Sequence, residues 1–477
     1  MISTMGYRAS SSPPYGKTRF ELGLASPLQL SSSLFVASRR PSIPLSLKLL
    51  HFPTSPSGDA ARRIEGASCG HTATPINKLP VEILCDIFSI CDETGGNQPC
   101  GSKIVLSHVC RRWRGVVLCM PMMWSHISVE TPNRTSAERM TAHFRRSGAY
   151  PVSLTILEGM SGSLEQRDAI KRLLPIIRAH ASQLKSLRLR LRTSAPDFGT
   201  YLHGCQFSLL EDLDLHLHLC PADVTETLIS RFQHGSRLSS LVWRRSENLP
   251  TNITWCTLKR LELNDSYTLE TVCAILEQCR SLQDLVVSIA DDGLATEVPI
   301  TLPALRTLDI HTQVPLARLF RRLLVPLLRA VSIHYRMDAT IPRGWDEFNA
   351  FLRRSDCDLA EFALWDKRLD DTQLIQCLEL SGLQSLTGLD IQQPPISENV
   401  LRRLSCAGDQ VDLLPSLRHI TLSDCRSEDG VLQDFVSSRL SHRPLDSLSI
   451  GLSDAQSRDR AYLRFLQHEG RNVRVYD

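Results

Sequence analysis

A six-residue string of the form LxxLxL recurs along the C-terminal two-thirds of the chain, and it limits the possible folds more than any other feature. Three copies are "LKSLRL" from Leu184, "LEDLDL" from Leu210 and "LTGLDI" from Leu386. The closing positions of each string alternate between apolar and polar residues, as the two faces of a short β-strand do. Successive strings begin 20 to 31 residues apart. The chain is therefore expected to form one short strand at roughly regular intervals.

The segments between the strings have the periodicity of helices. Examples are "ADVTETLISRFQH", "TLETVCAILEQC", "WDEFNAFLRR" and "SENVLRRLSC". One strand and one helix per unit of about 26 residues is typical of a leucine-rich-repeat solenoid. We predict such an α/β solenoid over residues 150–470, with short parallel strands alternating with helices. Its eleven strings begin at Leu184, Leu210, Leu238, Leu258, Leu282, Leu305, Leu328, Leu359, Leu386, Leu417 and Leu445, and "PVSLTI" from Pro151 is a degenerate first copy.

A doubly wound α/β domain is the alternative, because it also alternates parallel strands with helices. That fold does not require an LxxLxL string in every strand, which favours the solenoid. The solenoid is expected to be irregular, since the Asn or Cys that often follows the strand of a leucine-rich repeat is usually missing here. Cys425 is a rare residue that fits this position.

The first 75 residues are rich in Ser, Pro and Arg and poor in acidic residues, as in "SSSPPYG" and "SRRPSIP". Such a composition buries too little apolar surface to offset the entropy of the chain, so residues 1–75 are expected to be disordered. A mitochondrial transit peptide is the alternative, although a clear amphipathic helix is missing.

Residues 76–129 have a helical pattern instead. The segment begins with "INKLPVEILCDIFSIC", in which Pro80 suits a first helical turn and apolar residues follow at three- and four-residue steps. "DETGGNQPCGSK" has the composition of a loop. A second helix is then expected through "LSHVCRRWRGVVLCM", until Pro121 ends or kinks it.

This helical segment carries more large apolar residues than so small a unit can hide. A unit of about fifty residues buries a modest fraction of its surface. The surplus is therefore expected to cover either the next domain or another protein.

The same segment resembles an F-box, in the variant common in fungal proteins. The elements that carry the resemblance are Leu79-Pro80, Glu82-Ile83-Leu84, Ile87-Phe88, the run Val109-Cys110-Arg111-Arg112-Trp113, and the closing Pro121 and Trp124. The loop from Asp92 to Lys103 is longer than in the shortest F-boxes.

The resemblance implies a small three-helix F-box at 76–129, joined to the repeats by a connecting segment at 130–149. An F-box followed by leucine-rich repeats implies a substrate-recognition subunit of an SCF-type cullin–RING ubiquitin ligase, in which the F-box docks on the Skp adaptor. The residues expected to contact the adaptor are Leu79, Pro80, Ile83, Leu84, Ile87, Phe88, Leu106, Val109, Trp113, Val117 and Trp124.

The resemblance also implies that the repeats of such a protein bind a target protein, which is unidentified here. In an LxxLxL strand the leucines point into the core, and the intervening and following residues face the concave surface. Trp365 is the best hot-spot candidate, because tryptophan is enriched at the centres of protein interfaces, whereas Trp243 is expected in the core. The residues expected to bind the target are Arg188, Arg190, Asp214, His216, Arg244, Glu262, Asn264, Asp309, His311, Trp365 and Asp390.

Composition and motifs argue against several other functions. The net charge is +3, and no apolar run reaches the length of a membrane span, so neither nucleic acid nor a membrane is an expected partner. Arg111, Arg112 and Arg114 are interpreted as the solvated flank of a helix rather than a phosphate site. The fifteen cysteines are irregularly spaced without a CxxC, so reduced thiols are expected and no metal or other cofactor.

No motif of a hydrolase, metalloprotease or phosphate-binding loop occurs, so the protein is not expected to be an enzyme. Two alternatives stay open. The first is a leucine-rich-repeat interaction scaffold without a role in degradation. The second is an enzyme or metal site around Asp214, His216 and His218, which could share one face of a strand. The expected location is the cytoplasm, the nucleus or both.

Overall fold

The computed structural model describes residues 75–94, 101–159, 163–192, 195–217, 222–233, 237–244, 253–293, 298–336, 343–406, 413–442, 445–452 and 456–476. The segment expected to be disordered lies outside these residues except for its last position. Within the described residues, no helix is both long enough and apolar enough to cross a bilayer.

Fourteen strands form one parallel sheet in which almost every neighbour in space is also the next strand along the chain. They are β1 (His126–Glu130), β2 (Val152–Leu157), β3 (Leu184–Leu191), β4 (Asp212–Leu217), β5 (Ser240–Arg244), β6 (Arg260–Thr268), β7 (Asp284–Asp291), β9 (Thr307–Thr312), β11 (Ala330–Tyr335), β12 (Glu361–Trp365), β13 (Gly388–Gln392), β14 (His419–Cys425), β15 (Ser447–Leu452) and β16 (Val473–Tyr476). The exceptions in chain order are the two-residue strands β8 (Ile300–Thr301) and β10 (Leu323–Leu324), which pair with each other.

Helices precede β1 or lie between later strands along the chain. They are α1 (Val81–Thr94), α2 (Gly101–Val109), α3 (Arg111–Leu118), α4 (Ser136–Ser147), α5 (Leu164–Ala179), α6 (Ala195–Tyr201), α7 (Ala222–Gln233), α8 (Leu269–Leu276), α9 (Ala317–Arg322), α10 (Trp345–Ser355), α11 (Asp371–Leu378), α12 (Glu398–Leu404), α13 (Val431–His442) and α14 (Ser457–His468). Short 3-10 turns occupy Pro75–Lys78, Pro121–Trp124, Ala181–Gln183, Trp255–Thr257 and Ser381–Leu383.

The sequence pattern predicts the strands well. Each of the eleven LxxLxL strings contributes one strand of the sheet, and "PVSLTI" contributes β2. The fold is thus a mixed α/β structure with a long parallel sheet, as expected. Two strands of this sheet lack the string and escaped prediction. One is β16, and the other is β1, which follows directly on the helical segment.

The sheet begins earlier than its expected start at residue 150. Residues 126–129, which were assigned to the helical segment, lie in β1 and pair in parallel with β2. The expected connecting segment 130–149 contains α4, so it has the strand-to-helix order of the later units. The reason is that "HISVE" alternates buried and exposed residues, with Ile127 and Val129 in the core.

Burial divides each strand into two faces. In β4, Leu213, Leu215 and Leu217 are buried, whereas Asp214 and His216 keep part of their exposure. The buried side belongs to one continuous hydrophobic core. Helices of successive units contact each other and so form one layer, as parallel strands with crossover helices require. We call the partly exposed side of the sheet the open face.

The helices α1 to α3 form a separate small unit with its own core. Its buried side chains are Leu84, Phe88, Val116, Val117, Met120, Met123 and Trp124. We call this part, residues 76–124, the helical unit.

The expected second helix of this unit is interrupted. It breaks at Cys110, whose backbone is extended with φ −156° and ψ 171°. The Cys110 Sγ accepts a hydrogen bond from the backbone N–H of Trp113 at 3.5 Å, so this residue caps α3 as serine does elsewhere. The expected loop from Asp92 to Lys103 is also shorter, because α1 extends to Thr94 and α2 begins at Gly101.

Lys103 attaches the helical unit to β1, and Trp124 contacts α4. Lys103 is buried, and its Nζ donates to the carbonyl oxygens of Met123 at 3.0 Å and His126 at 2.9 Å. The Trp124 Nε1 donates to the Val117 carbonyl at 2.9 Å. The guanidinium of Arg146, on α4, lies 4.2 Å from the centre of the Trp124 ring, a cation–π geometry.

Candidate binding surfaces

The register of the sheet aligns the expected target-binding residues in two rows on the open face. In the first row, Arg188 is paired with Asp214, and further along Asp309, Ser332, Ala363 and Asp390 are successive neighbours. The second row includes two runs of successive neighbours, Arg190–His216–Arg244 and Ser288–His311–His334–Trp365–Gln392. The register therefore places Arg188, Asp214, Asp309 and Asp390 in one row and Arg190, His216, Arg244, His311 and Trp365 in the other.

Ion pairs neutralise much of the charge on β3 to β6. The Arg188 Nε lies 2.7 Å from the Asp214 Oδ2, and an Arg244 nitrogen lies 3.0 Å from the Glu262 Oε1. Glu262 also accepts from Asn264 and lies 3.5 Å from Arg260. Burial raises the pKa of Asp214, while Arg188 opposes that shift.

These contacts give Asp214 and His216 an ordinary structural explanation. Asp214 is the ion-pair partner of Arg188 on the neighbouring strand. His216 follows it on the same face, and His218 lies outside the described residues.

On β9 to β12 a different arrangement occurs, which we call the Asp–His–Trp cluster: Asp309, His311, His334 and Trp365. The Asp309 Oδ1 lies 3.5 Å from the His311 Nε2 and 3.3 Å from the His334 Nε2. The two imidazoles stack with their centres 4.2 Å apart, and His334 stacks on Trp365 at 3.9 Å. An Arg336 nitrogen lies 3.2 Å from the His311 Nδ1.

Sequence reasoning placed His334 on this face but left it out of the candidate residues. The signal was present, because His334 occupies in its string the position that His311 occupies in the preceding one. Within the described residues, Asp309, His311 and His334 form a group of potential metal ligands.

Burial shifts two titrating groups on this part of the open face. It lowers the pKa of His311 to about 4, with a further lowering from His334, so His311 is neutral at pH 7. Burial raises the pKa of Asp390 to about 6, although the Gln392 amide opposes the shift by donating to both carboxylate oxygens, at 3.1 and 3.2 Å.

The eleven expected adaptor-binding residues have different positions in the helical unit. Ile83 and Val109 are 45% and 55% exposed, and Pro80 is exposed as well. The half-buried ones are Leu79, Ile87, Leu106 and Trp113. The remaining four, Leu84, Phe88, Val117 and Trp124, are buried in the core of the unit, so in this conformation they support the surface rather than form it.

The helical unit also exposes apolar residues that were not among the expected adaptor contacts. Val81 is 47% exposed, Ile104 50% and Val105 63%. Val105 and Val109 are one turn apart on α2 and so share a face of that helix. The helical periodicity of α2 could have identified Ile104 and Val105, but a loop was expected up to Lys103, directly before them.

Two of the three neighbouring arginines of the helical unit make structural hydrogen bonds. Arg112 donates to the Leu79 carbonyl, and the Arg114 Nε donates to the Ser107 carbonyl at 2.9 Å. Trp113 packs against Phe88 with ring centres 4.9 Å apart. Trp243 is fully buried, as expected. The cysteines of the described residues are all free thiols.

Comparison with known proteins adds little to this geometry. No protein-family model matches the chain, and no curated protein matches it either. A protein from Bacteroides fragilis has a crystal structure that is similar over 62% of this chain and 85% of its own, with 13% sequence identity and a TM-score of 0.36. A likeness of that size carries no argument about function, so the surfaces are interpreted from their own residues.

Proposed function

We propose that the chain is a substrate-recognition subunit of an SCF-type ubiquitin ligase, in which residues 76–129 are an F-box that docks on the Skp adaptor. The observation that carries this proposal is the exposed apolar surface of the helical unit. Several large apolar residues, among them Ile83, Val105 and Val109, remain exposed although the unit already has a core of its own and a contact with the sheet.

The exposed side chains are suited to a protein partner. Side chains such as Ile83, Val105 and Val109 each contribute about 1.5–3 kcal/mol when fully buried. Scattered single apolar residues are normal on a surface, but several on two short helices that contact each other support a binding patch. The resemblance of "LPVEILCDIF" and "VCRRW" to an F-box supplies the identity of the partner.

The open face of the sheet is proposed to bind the target, with the strands acting as irregular leucine-rich repeats. Trp365 is partly exposed, and its ring is held by the stack with His334. A rigid aromatic side chain loses little conformational freedom on binding, which is one reason for its enrichment at interface centres. In this proposal the other subunits of the ligase perform the chemistry, and this chain brings the target close to them.

The proposal is tested by copurification of the full chain with a Skp adaptor. The variant Ile83→Glu/Val109→Glu places charges on the exposed patch without touching the core, so we expect it to lose the adaptor. The matched control is Leu327→Glu, which changes a residue that is 50% exposed and lies between β10 and β11. Adaptor binding that persists in the double variant, or is absent from the wild type, would contradict the proposal.

A degradation role is distinguished from a scaffold by the abundance of the bound target in cells. If the chain directs ubiquitination, target abundance rises when the Ile83→Glu/Val109→Glu variant replaces the wild type. Unchanged abundance, with target binding intact, would favour the scaffold.

A further inference from the structure

We propose that Asp309, His311 and His334 form a binding site for a divalent transition metal, of which Zn²⁺ is the best fit, on the open face of the sheet. The three side chains come from β9 and β11, which are adjacent in the sheet. One potential ligand atom from each residue lies within 4.8 Å of the other two. This inference is independent of the proposed ligase function.

The distances between the ligand atoms match a tetrahedral metal site. Zinc binds imidazole nitrogen and carboxylate oxygen at about 2.0–2.2 Å, so two ligand atoms of a tetrahedron are about 3.4 Å apart. The Asp309 Oδ1 lies 3.3 Å from the His334 Nε2 and 3.5 Å from the His311 Nε2.

Hydrogen bonding does not account for these short distances. The Asp309 Oδ1 is buried, yet it has no hydrogen-bond partner within the described residues. A buried carboxylate oxygen without a partner costs free energy, and native proteins rarely leave one. Ligands of a common metal lie this close together without hydrogen bonds between them, because their lone pairs are used for the metal.

Two adjustments accompany metal binding. The His311 and His334 rings are 20° from parallel in their stack, so one ring has to turn before both in-plane lone pairs reach one ion. The torsion involved is a soft one. Arg336 must also release the His311 Nδ1, because a histidine that binds metal through Nε2 carries its hydrogen on Nδ1 and donates it outward.

The chemistry of the donors selects the metal. Imidazole suits zinc, copper, iron and nickel, whereas calcium and magnesium prefer oxygen ligands alone. Three protein ligands leave a fourth tetrahedral position open. Since the cluster lies on the open face, a donor group of a bound partner is the natural fourth ligand.

The test is titration of the chelator-treated full chain with Co²⁺, whose tetrahedral complexes absorb visible light, followed by displacement with Zn²⁺. Thiols are alkylated beforehand, so that the free cysteines do not contribute. We expect the wild type to bind one equivalent of Co²⁺, and we expect His334→Ala and Asp309→Asn to lose this binding. The matched control, His419→Ala, removes a half-buried histidine of the same face that contacts the Ser447 hydroxyl, and it should retain the equivalent.

A further variant separates metal binding from a structural role. Arg336→Gln replaces a cation that competes for His311 with an amide that accepts its Nδ1–H, so we expect about tenfold tighter binding. Thermal unfolding by circular dichroism establishes that each variant is folded. The site is refuted if the wild type and the folded His334→Ala variant bind equally, if His419→Ala loses the equivalent as well, or if Arg336→Gln leaves affinity unchanged.

Discussion

At the scale of single residues, Asp390 is held in an environment that opposes its charge. It lies on the open face beyond Ala363, and the described contacts to its carboxylate come from the neutral Gln392 amide. Burial raises its pKa from the ordinary 3.8 to about 6. The upstream part of the same row differs, because Asp214 and Glu262 have arginine partners.

We predict that Asp390→Asn stabilises the protein above pH 6. The unfolded chain ionises this group near pH 3.8 and the folded chain near pH 6. The cost of ionising it in the folded state is therefore absent below the lower value, grows between the two, and is fully present above the higher. Removing the charge should raise the free energy of unfolding by about 1–3 kcal/mol at pH 8.

Thermal unfolding at pH 8 and at pH 4 measures this effect. The melting temperature of Asp390→Asn should exceed that of the wild type at pH 8, and the difference should shrink at pH 4. An equal difference in melting temperature at pH 8 and at pH 4 would mean that the introduced amide acts through packing and not through charge.

At the scale of elements, the register of the sheet shifts in the strand pairs β2–β3 and β6–β7 and also between β14 and β15. Their register shifts between Leu422 and Cys425, a bulge in a ladder that is otherwise regular on both sides. Cys425 is fully buried there, as its match to the repeat pattern suggested. Opposite the bulge lies Gly451, where an added Cβ would stand 2.0 Å from the Ser423 carbonyl oxygen. A bulge brings the two backbones too close for any side chain.

We predict that Gly451→Ala destabilises the protein by about 1–3 kcal/mol, the usual cost of overpacking, because backbone atoms must move to admit the methyl group. Gly388→Ala is the matched control in β13. An added Cβ there meets the flexible Glu361 side chain at 3.2 Å, which can turn away. Chemical denaturation of both variants measures the difference, and an equal loss in the two would contradict a special cost of the close approach to Ser423.

At the scale of the whole molecule, what the sequence predicts depends on whether a feature is repeated. The LxxLxL strings identify their strands because the same leucines must be buried in every unit, and alignment of the strings then places Asp309 and Asp390 in one row. Features that occur once leave no such signal. The break at Cys110 depends on one thiol acting as a cap, and β1 is a strand without leucine.

The contacts of the metal candidate illustrate the same limit. Its residues could be aligned from the strings, but the 3.3 Å approach of His334 to Asp309 depends on side-chain torsions that no pattern encodes. The helical unit is similar, because periodicity indicates that Leu84 and Ile83 belong to one helix but does not say which of them is in the core.

The junction of the helical unit with the sheet carries the last prediction. Lys103 is 2% exposed, and its ammonium donates to two carbonyl oxygens, one on either side of the junction. Lys103→Met keeps the length of the side chain but removes the donor to both carbonyl oxygens. Each of these carbonyl oxygens that water does not reach then costs the folded protein about 1–3 kcal/mol. Because the unit has a separate core, we expect the loss to be local. Hydrogen exchange should accelerate in α1 and α3 and stay unchanged in β4 to β15.

The control for this experiment is Lys171→Met, which removes an exposed lysine of α5 whose Nζ lies 3.9 Å from Asp197. Exposed ion pairs contribute little, so exchange should be unaffected throughout. If Lys103→Met instead accelerates exchange evenly along the sheet, the helical unit and the sheet unfold as one. The proposed docking of an adaptor would then be linked to the stability of the whole molecule, since a partner that binds only the folded unit stabilises whatever unfolds together with it.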